Sequence, residues 1–152
     1  RDGSHTFLGD ECVDEAIRTI EVSSYVSPVA VIPEVREFVD RILRDYGKAG
    51  RVVMDGRDIG TTVFPDAELK IFMVADANVR AMRRLKEMKA SGSDADFDTV
   101  LENLKTRDYI DSHRETSPLR QAEDAIVLDN TDMTLEDQMV WLRDIVRRRF
   151  GD

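Results

Sequence analysis

Three stretches of this 152-residue chain combine charge with backbone freedom in ways suited to holding a small anion. The run Asp55-Gly56-Arg57-Asp58-Ile59-Gly60-Thr61-Thr62 follows the apolar segment Val52 to Met54 directly. In open parallel sheets ligands bind beyond the carboxyl ends of strands, and glycines there let backbone and ligand approach closely. A plain turn, with Arg57 paired to Asp55 or Asp58, is the competing reading. Farther along, Arg107, Asp111 and Arg114 stand at i, i+4 and i+7, which predicts one stripe of a helix. The stripe roughly continues the line of Phe97, Val100, Leu101 and Leu104, so an inward apolar face turns into charge. Buried charge is costly without partners, and the pattern points to the wall of a polar pocket. An exposed ion-pair ladder, worth only about 0.2–0.5 kcal/mol per pair, would explain the same spacing. The third stretch sets Arg80, Arg83, Arg84, Lys86 and Lys89 against Glu87 alone. A basic run in an acidic chain suits an anionic ligand, and the break Ser91-Gly92-Ser93-Asp94 would let it act as a mobile flap; a solvated helix face is the alternative.

Other reactive side chains offer less. His5 and His113 have no cysteine or second histidine at ligand spacing, which argues against zinc. Cys12 has no histidine or basic residue near it in sequence and reads as a packing or surface residue. Arg147, Arg148 and Arg149 suit the last turn of a helix, where the dipole favours cations. Trp141 and Tyr109 require no role beyond packing.

The elements that must position these groups follow from periodicity. Asp2-Gly3 and Gly9-Asp10 bracket Phe7-Leu8 as a short hairpin or frayed strand. Val35, Phe38, Val39, Ile42, Leu43 and Tyr46 predict one apolar helix face from Pro33 to Gly47. Val52–Met54, Leu69–Val74 and Ala125–Leu128 read as buried parallel strands, because they do not alternate cleanly and helical patterns separate the second from the third. Asp76 is placed to cap the basic helix, with Val79, Met82, Leu85 and Met88 on one side. A second helix carries Phe97, Val100, Leu101 and Leu104 and ends before Pro118. Thr134 and Asp137 form a capping-box pattern opening a last helix through Leu135, Met139, Leu142 and Val146.

Size and composition fit one globular domain: 17.3 kDa, 41% hydrophobic and 35% charged residues. No run approaches the roughly 20 apolar residues that span a bilayer. A net charge of -9 disfavours non-specific nucleic-acid binding, which needs a positive surface. One cysteine permits no internal disulfide, and the N-terminus lacks a secretory pattern, so a reducing cytoplasmic location is expected.

The ordered strings of this chain resemble the bacterial cytidylate kinases, a branch of the nucleoside monophosphate kinases. They are Ile17-Arg18-Thr19 with Glu21-Val22, Pro33-Glu34-Val35-Arg36, Asp55 to Thr62 continued by Val63-Phe64-Pro65-Asp66-Ala67, and Lys70-Ile71-Phe72. Arg107-Asp108 with Asp111, Arg114 and Ser117-Pro118-Leu119 follow, then Asp124-Ala125 and Leu128-Asp129. The likeness covers nearly the whole chain, and the Asp55–Ala67 string is its most specific part. It implies transfer of the γ-phosphoryl group from ATP, with Mg2+, to CMP or dCMP. The implied fold is α/β, a P-loop kinase-like parallel sheet flanked by helices, with NMP-binding and lid elements. Residues 1–50 would be the C-terminal part of the CMP-binding subdomain, 51–78 and 117–152 the core sheet domain, and 79–116 the lid and the arginine-bearing helix after it.

Residue by residue, the resemblance puts Arg57 on the CMP phosphate, and Ser27, Arg107 and Asp111 around the ribose hydroxyls. Arg36, Asp58 and Arg114 match the cytosine-reading set: a carboxylate can accept from the cytosine amino group, which UMP replaces by a carbonyl. Arg80, Arg83 and Arg84 fall in the lid over the ATP phosphates, Asn130 lies near the adenine seat, and Asp55 matches an acid that holds magnesium through water. Catalytic charge neutralisation would fall to Arg57, Arg83, Arg84 and Arg107, because two polyanions must meet.

One departure stands out. The chain contains no Gly-x-x-x-x-Gly-Lys-Ser/Thr loop. The resemblance implies that the family's first strand and this loop would precede Arg1. That strand runs between two strands present here, so the sheet would have a gap and the chain alone would be inactive. The complete protein is expected to be a monomer binding CMP, dCMP and ATP, without nucleic-acid or membrane partners. A non-catalytic nucleotide-binding or protein-interaction module derived from such a kinase is the alternative.

Overall fold

The computed structural model describes residues 5–151. It opens with a hairpin of β1 (Phe7–Leu8) and β2 (Glu11–Cys12), paired antiparallel with Phe7 opposite Cys12. Gly9 closes the turn at φ +63°, a left-handed conformation that glycine adopts without steric cost. The predicted hairpin is therefore present, though the Asp2-Gly3 signal lies outside the described residues.

A 3-10 turn (Ala16–Arg18) leads into α1 (Ile20–Ala30), whose first turn is capped by Thr19 Oγ1 accepting from Val22 N at 3.2 Å. Periodicity did not announce this helix. Its sequence is rich in serine and β-branched residues and contains Pro28, all poor helix formers, and packing against the fourth helix overrides that preference.

The next helix, α2 (Pro33–Gly47), has the expected bounds but buries a different face. Phe38, Val39 and Tyr46 are exposed, whereas Arg36 and Asp40 are buried. The fully buried positions of α2 are thus a charged pair at i, i+4, while Val35, Ile42 and Leu43 of the expected apolar face are half-buried.

Helix α3 (Ala77–Ala90) starts where Asp76 Oδ1 accepts from Asn78 N at 2.9 Å and Val79 N at 3.1 Å. It stops at Ser91, where Gly92 takes φ +82°. Helix α4 (Phe97–His113) is capped by Asp96 and packs along α3 and α1. Ala81, Leu85, Met88 and Val100 form the core between these helices, joined by Ile20, Phe97, Leu101 and Leu104. Met82, expected on that face, is exposed.

The sheet is narrower than expected. β3 (Ile71–Val74) and β4 (Ile126–Asp129) run parallel in register, from Ile71 opposite Ile126 to Val74 opposite Asp129, confirming a parallel α/β arrangement with flanking helices. Val52–Met54 pairs with no strand among the described residues, and Val53 is fully exposed, so the expected first strand is only an unpaired segment. A strand exists through its ladder, and no neighbour lies beside this one to complete it. The strands are also not buried as predicted: within β3 and β4 only Leu128 is buried.

Helix α5 (Leu135–Phe150) carries the predicted capping box in full. Asp137 N donates to Thr134 Oγ1 at 3.1 Å, and Thr134 N donates to Asp137 Oδ2 at 2.9 Å. No helix is long and apolar enough to cross a membrane among the described residues.

Candidate functional site

The loop after the unpaired segment folds on itself through a widened helical turn (Ile59–Val63). Phe64 N donates to Ile59 O at 2.7 Å, an i to i+5 bond, while Asp58 O accepts from Thr62 N at 2.8 Å. Gly56 has no room for a side chain here, since a Cβ would sit 2.7 Å from Ile59 Cγ1. The turn directs Asp58 inward, where it is buried.

Asp58 is the hub of a lattice drawn from three distant parts of the chain. Arg36 Nη2, from α2, donates to Asp58 Oδ2 and also lies 3.7 Å from Asp40 Oδ1. Arg114 Nη2 lies 3.4 Å from Asp58 Oδ1, and Arg114 Nη1 lies 3.5 Å from Asp111 Oδ1. Arg57 Nε then reaches Asp111 Oδ2 at 3.2 Å. The backbone fastens the far end: Arg114 Nε donates to Ser117 O at 2.8 Å, and Leu119 N donates to Asp111 O at 2.7 Å. Burial of Asp111 and Arg114 rules out an exposed ion-pair ladder, and the stripe itself needs one correction. Arg114 is not on the helix stripe; it is the residue that ends α4, with extended φ -65° and ψ 145°. Pro118 disfavours helix just before it, and the departing chain still turns the Arg114 side chain into the lattice.

Burial within the lattice is graded. Asp111 is 3% exposed and the Arg114 side chain 2%, whereas the Arg57 side chain is 42% exposed. Burial holds Arg114 below the usual arginine range, the neighbouring Arg36 charge adds to this, and Asp58 and Asp111 oppose it. Burial likewise lowers Arg107, with the Arg57 charge next. Both remain cationic at physiological pH. The buried polar atoms Arg36 Nε, Arg107 Nε, Arg114 Nη2 and Ser27 Oγ have no hydrogen-bond partner among the described residues. Orphans of this kind are uncommon in folded proteins, although Arg114 Nη2 keeps its ion pair with Asp58.

Ser27 is 1% exposed on α1, and Ser23, one turn earlier, accepts from Arg107 Nη1 at 2.9 Å. Ser23, bonded to Arg107, and Asp40, beside Arg36, are not among the residues that the sequence singles out. Ser23 stands four residues before Ser27, a signal readable only once α1 is known to be a helix; Asp40 stands four residues after Arg36, on a helix whose apolar pattern dominates its sequence. Arg84 and Arg107 line a small cleft with Ser23 and Asn103.

The three arginines of α3 are all engaged. Arg80 makes a two-pronged contact with Asp108 at 2.5 and 3.1 Å, which raises its pKa. Arg83 donates to the carbonyls of Asn130 (2.7 Å), Thr131 (3.1 Å) and Met133 (3.3 Å), and to Asn130 Oδ1 at 3.2 Å. Arg84 donates to Arg18 O at 3.1 Å. Asn130 Nδ2 in turn donates to Gln138 at 3.0 Å. Asp55 is exposed and has no protein partner among the described residues.

Two readings of single residues change. Cys12 does have a histidine near it: His5, Cys12 and Asp14 offer donor atoms within 4.8 Å of one another. Strand pairing creates that proximity, which sequence spacing hides. At the other end, Arg149 Nε donates to Glu68 O at 3.0 Å, a tertiary contact beyond the helix-dipole role expected for it.

Comparison with known proteins identifies the family. The cytidylate kinase family model matches residues 2–147. The chain is 55% identical over 137 residues to a cytidylate kinase of Phocaeicola vulgatus, covering 90% of this chain and 60% of that protein. A cytidylate kinase of Parabacteroides distasonis is 53% identical over 146 residues, covering 96% and 64%. One from Streptococcus pneumoniae is 50% identical over 131 residues, covering 86% and 59%. The chain thus spans about 60% of the length of the curated relatives it matches.

Proposed function

Because this chain belongs to the cytidylate kinase family, we propose that it carries the acceptor-nucleotide side of an ATP-dependent kinase that phosphorylates CMP or dCMP to CDP or dCDP. One observation carries the reading: a buried lattice of Arg36, Asp58, Arg114 and Asp111, holding unpartnered donors, opens onto the exposed guanidinium of Arg57. The buried end suits an uncharged ring with mixed donors and acceptors. The exposed end suits a phosphate.

In this reading Asp58 accepts from the cytosine amino group while Arg36 and Arg114 donate to its ring nitrogen and carbonyl. Asp111, Ser27 and Arg107 hold the ribose hydroxyls. Arg57 binds the acceptor phosphate, so that the oxygen attacking the donor's γ-phosphorus is oriented and its charge neutralised. Arg107, Arg83 and Arg84 supply further positive charge, and Arg80 and Asn130 belong to the donor-nucleotide side. Residues 1–50 then act as the acceptor-binding part, 51–78 and 117–152 as the sheet core, and 79–116 as the lid with its following helix.

Magnesium fits one residue. Mg2+ keeps several of its waters and takes oxygen ligands, and Asp55 offers an exposed carboxylate with no protein partner among the described residues. When bound, the ion would neutralise phosphate charge between the nucleotides. Asp55 would hold it through water.

The 152 residues contain no Gly-x-x-x-x-Gly-Lys-Ser/Thr run, so by themselves they are proposed to bind acceptor and not to transfer phosphate. Two measurements test this. Calorimetric titration of the chain should show CMP binding more tightly than UMP, and equal affinities would refute the lattice assignment. Phosphate transfer from ATP to CMP should appear only when a relative's phosphate-loop segment is joined ahead of Arg1. Failure of that chimera to phosphorylate CMP, despite CMP binding, would favour a non-catalytic nucleotide-binding module.

A further inference from the structure

The hairpin brings together three side chains that the nucleotide site does not use. Phe7 pairs with Cys12, and Val13 N donates to Thr6 O at 2.9 Å, which continues the ladder so that His5 stands across from Asp14. Side chains of a ribbon alternate between its faces, so Cys12 and Asp14, two apart, share one face, and His5 joins them from the facing strand. His5 Nδ1 lies 2.7 Å from Asp14 Oδ2, and Cys12 Sγ lies 3.6 Å from the same oxygen.

We propose that His5, Cys12 and Asp14 form a three-donor site for a divalent d-block cation of the zinc type, with one coordination position left to water. Imidazole nitrogen, thiolate sulfur and carboxylate oxygen are the donors that Zn2+ takes, and the two anionic ligands balance its charge. Tetrahedral coordination at usual zinc distances separates a sulfur and an oxygen donor by about 3.6 Å and a nitrogen and an oxygen donor by about 3.4 Å. The Cys12–Asp14 pair already has that spacing. The His5–Asp14 pair needs to open by roughly 0.7 Å, a side-chain rotation for two groups at a surface.

The support around the donors is also in place. Asp14 Oδ1 accepts from Thr6 N at 2.8 Å, which fixes the carboxylate and leaves Oδ2 toward the other two donors. Such outer contacts orient ligands in metal sites. Binding would replace the Cys12 thiol proton, released to buffer, and the His5–Asp14 hydrogen bond. Hard ions such as Mg2+ prefer an all-oxygen set and do not suit these donors.

Titration of the 152-residue chain with ZnCl2 against a chromophoric chelator tests the site. One equivalent of Zn2+ is expected to bind, with proton release. Removing even an outer partner of a metal ligand costs about 10- to 100-fold, so Cys12→Ser and His5→Ala should each weaken binding by at least about tenfold, while His113→Ala leaves it unchanged. Cobalt provides a second readout: a thiolate-to-cobalt absorption band should appear with the parent chain and vanish in Cys12→Ser. A third needs no variant, since saturating Zn2+ should slow maleimide modification of Cys12 and an equal concentration of Mg2+ should not. No stoichiometric zinc, unaltered affinity in both ligand variants, or a Cys12 reaction rate indifferent to zinc would overturn the proposal and leave the trio as a hydrogen-bonded clasp of the hairpin.

Discussion

Replacing Asp58 by asparagine separates what the lattice does for stability from what it does for recognition. The carboxylate lies between two guanidiniums, and at 3.4 Å its gross attraction to Arg114 is about 5 kcal/mol at an effective dielectric near 20. Desolvation offsets much of that in the intact pair, but deleting one charge leaves the others buried and uncompensated, at a cost of about 3–5 kcal/mol. Asp40 near Arg36 and Asp111 near Arg114 remain as second partners, so the loss belongs at the lower end of that range. For a chain of this length about 3 kcal/mol corresponds to a fall in Tm of roughly 6–12 °C. Recognition should change in a different way. A carboxylate offers only acceptors and penalises the uracil carbonyl by about 1–3 kcal/mol, or roughly 5- to 150-fold, whereas an amide can turn its NH2 toward that carbonyl. Asp58→Asn should therefore lose most of the preference for CMP over UMP, measured by calorimetry well below the new Tm. A variant that keeps both the parent Tm and the parent CMP/UMP ratio would refute the placement of Asp58 at the hub and at the base.

Further expectations follow from other contacts. Arg57→Ala, in the chimera carrying a phosphate loop, should reduce kcat by at least about 100-fold with little change in Tm, because the side chain is half exposed and Asp111 keeps Arg114; Arg148→Ala, which loses only a surface pair with Asp144, should match the parent in steady-state kinetics. Arg83→Ala frees the carbonyls of Asn130, Thr131 and Met133, so hydrogen exchange should accelerate across residues 129–134 and Tm should fall by an amount equivalent to about 1–3 kcal/mol. In the hairpin, the Thr6 backbone N–H and then His5 hold Asp14 near pKa 2, below its ordinary 3.8. A depressed carboxylate contributes its stability above the unfolded value and loses it as pH falls through the folded one, so the Thr6 amide resonance should titrate with a midpoint near 2 and be flat above pH 4, a step that Asp14→Asn abolishes.

Local chemistry carried a good part of the fold into view. Asp76 and the Thr134–Asp137 box fix the starts of α3 and α5 through hydrogen bonds that span two or three residues, and Pro33 suits the first turn of α2 through its fixed φ. Such signals depend on near neighbours alone, so they are legible before anything is packed. Helix α1 escaped because its propensities oppose the state that packing against α4 imposes. Val52–Met54 has the composition of a strand, yet pairing belongs to the neighbour as much as to the segment itself.

For the site the division is the same. Sequence alone placed Arg107, Asp111 and Arg114 in a charged stripe that a solvated surface explains poorly, left Arg57 and Asp58 between a ligand loop and a plain turn, and through the strings around them pointed to the family. Which charge faces which is settled only by tertiary structure: Arg36 meets Asp58 across 22 residues, Arg57 meets Asp111 across 54, and Arg114 joins them from beyond the end of its helix. The same holds for Asp40 within the lattice, for Ser23 beside Arg107 and for His5 beside Cys12 on the hairpin. Periodicity reports which way a side chain leaves its own element. The partner that makes burial of a charge tolerable comes from another element, so it becomes known when the two are packed together.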